Sequence, residues 1–280
     1  MPLTIQQIKG RLKSVAQKNH ADARILMRLY MMERFLERLS KSKYSDDFII
    51  KGGILVTSMI GVSLRSTMDI DTTIRNLNLS EEDMKKIVED IASLDIGDGI
   101  NFVIKDVSTI MDEMEYPGVR ITMNACIGKT ITPLKIDIST NDIITPRAIE
   151  YKYKLLLEER EINLWTYNLE TILAEKMQTI LARGLLNTRM REFYDIHVLL
   201  MRYRESLDYA ILVSAFEATC KRRGSEQLSM EGGQIIQNIE NDLKISKLWE
   251  TYQKKFTYAA EISYNEIIDS IKELFELITT

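Results

Sequence analysis

Two aspartates separated by one residue, in Met68-Asp69-Ile70-Asp71-Thr72-Thr73-Ile74, constrain this chain more than any other feature. The acids alternate with apolar residues at the period of a β-strand, which places both carboxylates on one face of it. Two like charges held that close repel strongly unless a divalent cation lies between them. Magnesium (or manganese) suits the pair, since magnesium takes hard oxygen ligands and completes its shell with substrate phosphates. Just upstream, Phe48-Ile49-Ile50, then Lys51-Gly52-Gly53, then an apolar run through Ile60 read as strand, glycine turn and helix. Bare backbone N–H groups at such a turn, helped by the helix dipole, can hold triphosphate oxygens. Lys51, Gly52 and Gly53 are therefore candidate phosphate-binding residues, with Arg65, Ser66 and Thr67 as a second tier. Asp137 sits amid apolar residues in Leu134-Lys135-Ile136-Asp137-Ile138, where an acid is costly without a partner. On a neighbouring strand it would complete a three-acid metal set with Asp69 and Asp71; a paired structural aspartate is the alternative.

The rest of the chain divides into a mixed first part and a helical second part. Residues 4–18 and 20–41 carry apolar residues at helical spacing, and Ser80 is placed to cap a helix running to about Leu94. Strand-like stretches follow near Phe102–Val107, Val119–Ala125 and Thr130–Ser139, making a mixed sheet, while Tyr151–Leu157 and Ile162–Leu164 are ambiguous. After Leu169 the pattern is helical almost to the end, with breaks near Arg183-Gly184, Ser206, Gly224 and Gly232-Gly233. The expected division is residues 1–160 for the mixed domain and 161–280 for the helical one, with the boundary between 150 and 168.

Composition excludes several classes. No run approaches the roughly 20 apolar residues of a membrane span, and the N-terminus lacks the apolar block of a secretion signal, so a cytoplasmic protein without membrane contact is expected. Cys126 and Cys220 are too few for a disulfide framework or a thiolate metal site and read as buried thiols. His20 and His197 have no partner spacing and read as structural, and Met27, Met31 and Met32 as core filler. The net charge of −4 conceals +7 over residues 1–45, where ten Lys or Arg face three Asp or Glu, against −11 for the remainder. Lys9, Arg11, Lys13, Lys18, Arg24, Arg28, Arg34 and Arg38 thus form either a face for RNA or an acidic partner, or a solvated helix face.

In the helical part, Glu175 and Lys176 stand on the polar stripe of an otherwise apolar helix, where an exposed ion pair is the default. A magnesium–triphosphate site, however, needs a further cation for phosphate charge that the metal leaves unmet, and Lys176 can supply it. Asp195, four residues after Arg191, reads either as a surface pair or as the acid that orients Lys176 or the nucleotide.

The segment KGGILVTSMIGVSLRSTMDIDTTIR resembles the glycine-turn and D-x-D core of the polymerase-β nucleotidyltransferase superfamily. Together with Leu173-Ala174-Glu175-Lys176-Met177 and Arg191-Glu192-Phe193-Tyr194-Asp195-Ile196, it is similar to the AbiEii/AbiGii family, the toxin half of bacterial abortive-infection toxin–antitoxin systems. The resemblance implies an α+β fold: an N-terminal mixed-sheet nucleotidyltransferase domain, then a C-terminal helical domain, with the nucleotide in the cleft between. It implies that Asp69 and Asp71 bind metal, that Lys176 contacts phosphate and that Asp195 is an essential acid. Where the superfamily often has Gly-Ser, this chain has Gly52-Gly53, so no hydroxyl is available at the turn.

The expected reaction is in-line attack by an acceptor hydroxyl on the α-phosphorus of a nucleoside triphosphate, with two-metal chemistry, Asp137 taking the proton and pyrophosphate leaving. By resemblance the acceptor is the tRNA 3′ end and the partner an AbiEi-like antitoxin, without direct contact being implied. The motifs do not fix the nucleotide, GTP or a pyrimidine triphosphate. Two other readings stand beside it: a nucleotide-binding interaction module without transfer activity, and a small-molecule nucleotidyltransferase.

Overall fold

Short polar caps start most of the long helices. Thr4 opens α1 (Ile5–Asn19) with a capping box to Gln7, and Asp22 opens α2 (Ala23–Lys41) by accepting from the Arg24 N–H. The chain is described here by a computed structural model covering residues 3–110 and 118–279. After α2 come β1 (Phe48–Lys51), α3 (Gly52–Ile60), β2 (Ile70–Ile74) and α4 (Glu81–Ser93), the last capped by Ser80. Then follow β3 (Asn101–Ile110), β4 (Gly118–Ile127), β5 (Thr130–Thr140), β6 (Ile149–Lys154) and β7 (Glu161–Thr166). The two ambiguous segments are thus strands, β6 and β7.

Among the described residues, seven strands form one sheet in the order β3-β4-β5-β2-β1-β7-β6. Strand β2 runs parallel to β5 and antiparallel to β1, while β1 runs parallel to β7, so the sheet is mixed. Alternation gives each central strand one core face. Ile121, Met123, Leu134, Ile136 and Ile138 are buried on it, whereas Arg120, Lys135 and Asp137 alternate with them and are only partly buried. The expected strand Met68–Ile74 is shorter than its pattern suggested: Asp69 lies in the bend immediately before β2.

Helix α2 corrects the reading of a continuous basic face. Lys9, Arg11, Lys13, Lys18 and Arg24 are exposed, but Arg34 and Arg38 are buried at 2% exposure. Arg34 pairs with Glu37 and Glu158, and Arg38 grips both oxygens of Asp98 at 2.8 Å and donates to the Ile100 carbonyl. These cations meet acids of their own domain, as buried charges must.

One buried acid on α2 has a measurable consequence. Both oxygens of Glu33 accept from the Leu156 N–H, and burial pushes its pKa up to about 8 from 4.5. In the unfolded chain this carboxyl loses its proton near its ordinary pKa, while in the folded chain it keeps the proton until about pH 8. The folded state binds more protons across that window, so stability falls as pH rises through it, and the loss is complete above pH 8. Glu33→Gln keeps an acceptor for Leu156 and should flatten this slope, gaining a few kcal/mol over wild type at pH 8 and little at pH 4.5. Thermal melts of both proteins across that range test it; parallel profiles would refute it.

The second compact unit takes in Ile143–Ala148 and the chain from Tyr167 onward, the first being the remainder. It contains α5 (Leu169–Arg183), α6 (Met190–Tyr203), α7 (Tyr209–Arg222), α8 (Leu228–Glu240), α9 (Leu243–Lys255) and α10 (Tyr264–Thr279). Asn168 caps α5 and also donates to the Thr145 carbonyl, tying the short segment to this unit. Helix α10 packs against α6, α7 and α8. The expected break at Gly232-Gly233 is absent, since both lie inside α8. Gly232 serves close packing there: a Cβ would run into the Phe275 ring and meet Leu181 at 3.1 Å. Cys220 is buried as expected, but Cys126 is only half-buried. His197 packs in this unit with Nδ1 2.8 Å from the Ser270 hydroxyl. No described helix is long and apolar enough to cross a membrane.

The observed architecture is α+β, a mixed-sheet domain followed by helices, as the sequence implied.

Candidate active site

The glycine pair between β1 and α3 is explained by what crowds it. Gly52 has φ +62°, a conformation glycine adopts without strain, and a Cβ there would collide with the Asp71 carboxylate. A Cβ on Gly53 would stand 2.5 Å from Thr67 Oγ1 and 2.9 Å from Arg65 Nη1. Arg65 is 3% exposed and donates to the Gly53 carbonyl at 2.7 Å and to Thr57 Oγ1 at 3.2 Å. Arg65 and buried Thr67 therefore brace the turn. Ser66 between them is half-buried.

The Gly53 N–H is also engaged, donating to Asp71 Oδ2 at 3.1 Å. Burial raises the Asp71 pKa above 3.8, and the charges of Asp137 and Asp69 raise it further, against the lowering effects of Gly53 N–H and Lys51. Lys51 pairs at 2.5 Å with Asp142, whose other hydrogen bonds include the Ser139 hydroxyl. Burial alone would raise the Asp142 pKa, but Lys51 and Ser139 hold it below the usual carboxylate range.

In the parallel β2–β5 ladder Asp71 lies beside Asp137, so three acids converge. Each has a cation or donor of its own. Arg120 grips Asp137 with Nε on Oδ1 at 2.8 Å and Nη2 on Oδ2 at 2.9 Å, and Lys135 Nζ lies 3.1 Å from Asp69 Oδ2 and 3.9 Å from Asp137 Oδ2. Among the described residues no group of three or more His, Cys, Asp or Glu is gathered to hold a metal ion. Asp137 is turned to Arg120, directly across the β4–β5 ladder. Asp69 and Asp71 still fit a divalent ion in donor chemistry, because magnesium needs only one or two carboxylates when phosphates supply the rest. Burial first, and then the charges of Asp137 and Asp69, disfavour the ionised form of Asp71, and such an ion would relieve both.

Arg120, Lys135 and Asp142 were missed from sequence, although a signal existed for two of them. Gly128-Lys129 is a two-residue hairpin turn pairing Ile127 with Thr130, and counting back from it sets Arg120 opposite Asp137 and Thr122 opposite Lys135.

In the helical unit, Lys176 is buried rather than on an exposed stripe. Its Nζ lies 2.5 Å from Glu192 Oε2 and 2.7 Å from Asp195 Oδ2, and Asp195 is fully buried. Asp195 is therefore no surface pair of Arg191; its charge partner is Lys176 across α5 and α6. Glu192, three residues before Asp195, shares a helical face with it and was also missed. Glu175 turns to Arg223 at 3.5 Å. A groove of about 870 Å³ beside α4 and β3, lined by Glu81, Lys85, Phe102 and neighbours, contains none of these candidates.

No curated protein matches this chain. Among solved structures, it is similar to JHP933 from Helicobacter pylori, with a TM-score of 0.48 and 16% identity over 91% of this chain and 93% of that one. It is also similar to an antigenic nucleotidyltransferase-like protein from Paracoccidioides brasiliensis, with a TM-score of 0.39 and 15% identity over 82% and 94% of the two chains. A family model for the nucleotidyl transferase AbiEii toxin of type IV toxin–antitoxin systems matches residues 34–276, nearly the whole length. The chain belongs to the AbiEii nucleotidyl transferase toxin family.

Proposed function

We propose that this protein transfers a nucleotide from a nucleoside triphosphate to an RNA acceptor, the 3′-terminal hydroxyl of tRNA, with Asp69 and Asp71 as the carboxylates that hold magnesium. The observation that carries the reading is the seat of Asp71: its Oδ2 rests on the Gly53 N–H at the start of α3, with Asp69 two residues away and burial opposing its charge. The metal supplies charge neutralisation at the transferring phosphate.

The rest is work for the chain. Gly52 leaves room for the Asp71 carboxylate, and the Gly53 N–H fixes its direction. Lys51, paired with Asp142, adds positive charge to the same sheet face. The acceptor oxygen bonds to the α-phosphorus, the bond to the β-phosphate oxygen breaks, and the hydroxyl proton passes to solvent. Both oxygens of Asp137 accept from Arg120, and we assign it the fixing of Arg120 instead of the proton-transfer role expected from sequence. Lys176 and Asp195 are assigned the phosphate-contacting and orienting roles that family resemblance gives them, with Glu192 as a second anchor of the ammonium. Blocked tRNA ends would arrest growth, the expected outcome for an abortive-infection toxin with an antitoxin partner.

Incubation with labelled triphosphates, Mg²⁺ and total tRNA tests this. Wild type should label tRNA at its 3′ end, periodate-treated tRNA should take no label, and Asp69→Ala should be inactive. Label that survives Asp69→Ala removes the proposed site, and nucleotide binding without transfer to any RNA would favour an interaction module.

A further inference from the structure

Three cations surround the acid cluster, and they are held in different ways. Arg120 is locked as a planar fork on both oxygens of Asp137. Lys51 is committed to Asp142 and lies in the sheet beside Asp71. Lys135 differs from both. It emerges from β5 two residues before Asp137, between buried Leu134 and Ile136, which fix the strand so that its side chain rises on the acid face. Its ammonium lies 3.1 Å from Asp69 Oδ2, and its side chain is 28% exposed. Asp69 is more open still, with a side-chain exposure of 36%. A lysine is a point charge on a flexible four-carbon stem, so this contact can be broken and re-formed at little cost beside solvent.

The oxygen that Lys135 occupies belongs to the pair a divalent ion would use. We infer that Lys135 is a built-in competitor for that ion: its ammonium holds Asp69 in the metal-free chain, must leave Asp69 when a divalent cation enters, and then serves the triphosphate that follows. The inference rests on the reading of Asp69 and Asp71 as the cation-binding pair. It makes metal loading and nucleotide loading depend on one side chain with opposite signs. Without nucleotide, Lys135 opposes the metal; with triphosphate present, its charge favours the complex.

Lys135→Met tests this through binding rather than turnover. Mn²⁺ affinity of the nucleotide-free protein, read from the electron paramagnetic resonance signal of free Mn²⁺, should rise roughly tenfold over wild type, the effect of removing one nearby competing charge. Affinity for a non-hydrolysable α,β-methylene triphosphate with Mn²⁺, read by calorimetry, should fall by a similar factor. Lys135→Arg, which keeps the charge, should bind Mn²⁺ like wild type, and thermal melts confirm that each variant is folded. A purely structural lysine would move both affinities in the same direction. Unchanged or weaker Mn²⁺ binding in Lys135→Met overturns the inference while leaving the acid pair in place. Asp69→Asn separates the two claims: Mn²⁺ binding undiminished in that variant removes the pair as a metal site, and the role of Lys135 with it. If neither wild type nor Lys135→Met binds Mn²⁺, both fall together.

Discussion

Asp71→Asn should lose nucleotide transfer by roughly a thousandfold or more, the several kcal/mol expected for removing a ligand of a catalytic metal, and should melt no lower than wild type. The two results come from the same surroundings. Burial and the charges of Asp137 and Asp69 work against a charged group at this position. An amide is nearly the same shape, and its oxygen can still accept the Gly53 N–H that Asp71 Oδ2 accepts at 3.1 Å. Removing one like charge from the cluster therefore relieves repulsion without opening a cavity. A single-turnover transfer assay and a thermal melt on the same preparation read both halves. Retained transfer would contradict the assigned role, and a large fall in Tm would contradict the electrostatic account.

Lys176→Met should have the largest effect on stability, on the order of 3–5 kcal/mol, because it strips a fully buried aspartate of its ammonium. Asp195 is 0% exposed and lies 2.7 Å from Lys176 Nζ, with Glu192 on the other side of the same ammonium. If that penalty is the stranded charge, neutralising the aspartate should recover much of it. The double variant Lys176→Met with Asp195→Asn is thus expected to be more stable than Lys176→Met alone. Transfer should stay lost in both, since the methionine offers phosphate no charge. Denaturant melts of the four proteins give the coupling energy; strictly additive effects would mean that the pair contributes little to the fold.

The sequence made some of this visible for clear reasons. Ser80 with three acids after it reads as a helix start, and it is one. The alternating acids of Asp69-Ile70-Asp71 point to a strand with both carboxylates on one face, though the strand itself begins only at Ile70. What stayed hidden were partners set by distant register or by burial of a nominally polar group. Arg65 reads as a loop arginine, but its guanidinium lies beneath the glycine turn, in space that exists only because Gly53 has no side chain. Arg38 reads as part of a basic face because its acid partner Asp98 is 60 residues away, and Arg34 does so because its burial, between Glu37 on its own helix and Glu158 124 residues on, is not legible locally. The burial of Lys176 was equally hidden, since its partners lie on the next helix at 192 and 195. Gly232-Gly233 looked like a break because glycine weakens a helix, yet the packing of Phe275 needs the missing side chain.

The carboxylates of Asp69 and Asp71 are expected to share one divalent ion facing a triphosphate. Anomalous scattering from a crystal grown with Mn²⁺ and a non-hydrolysable triphosphate examines that geometry without relying on turnover. A manganese peak is expected roughly 2.0–2.3 Å from an oxygen of each aspartate, with phosphate oxygens completing the shell and Lys135 withdrawn from Asp69. A manganese ion bound elsewhere, with Lys135 still on Asp69 and the triphosphate away from α3, would contradict it.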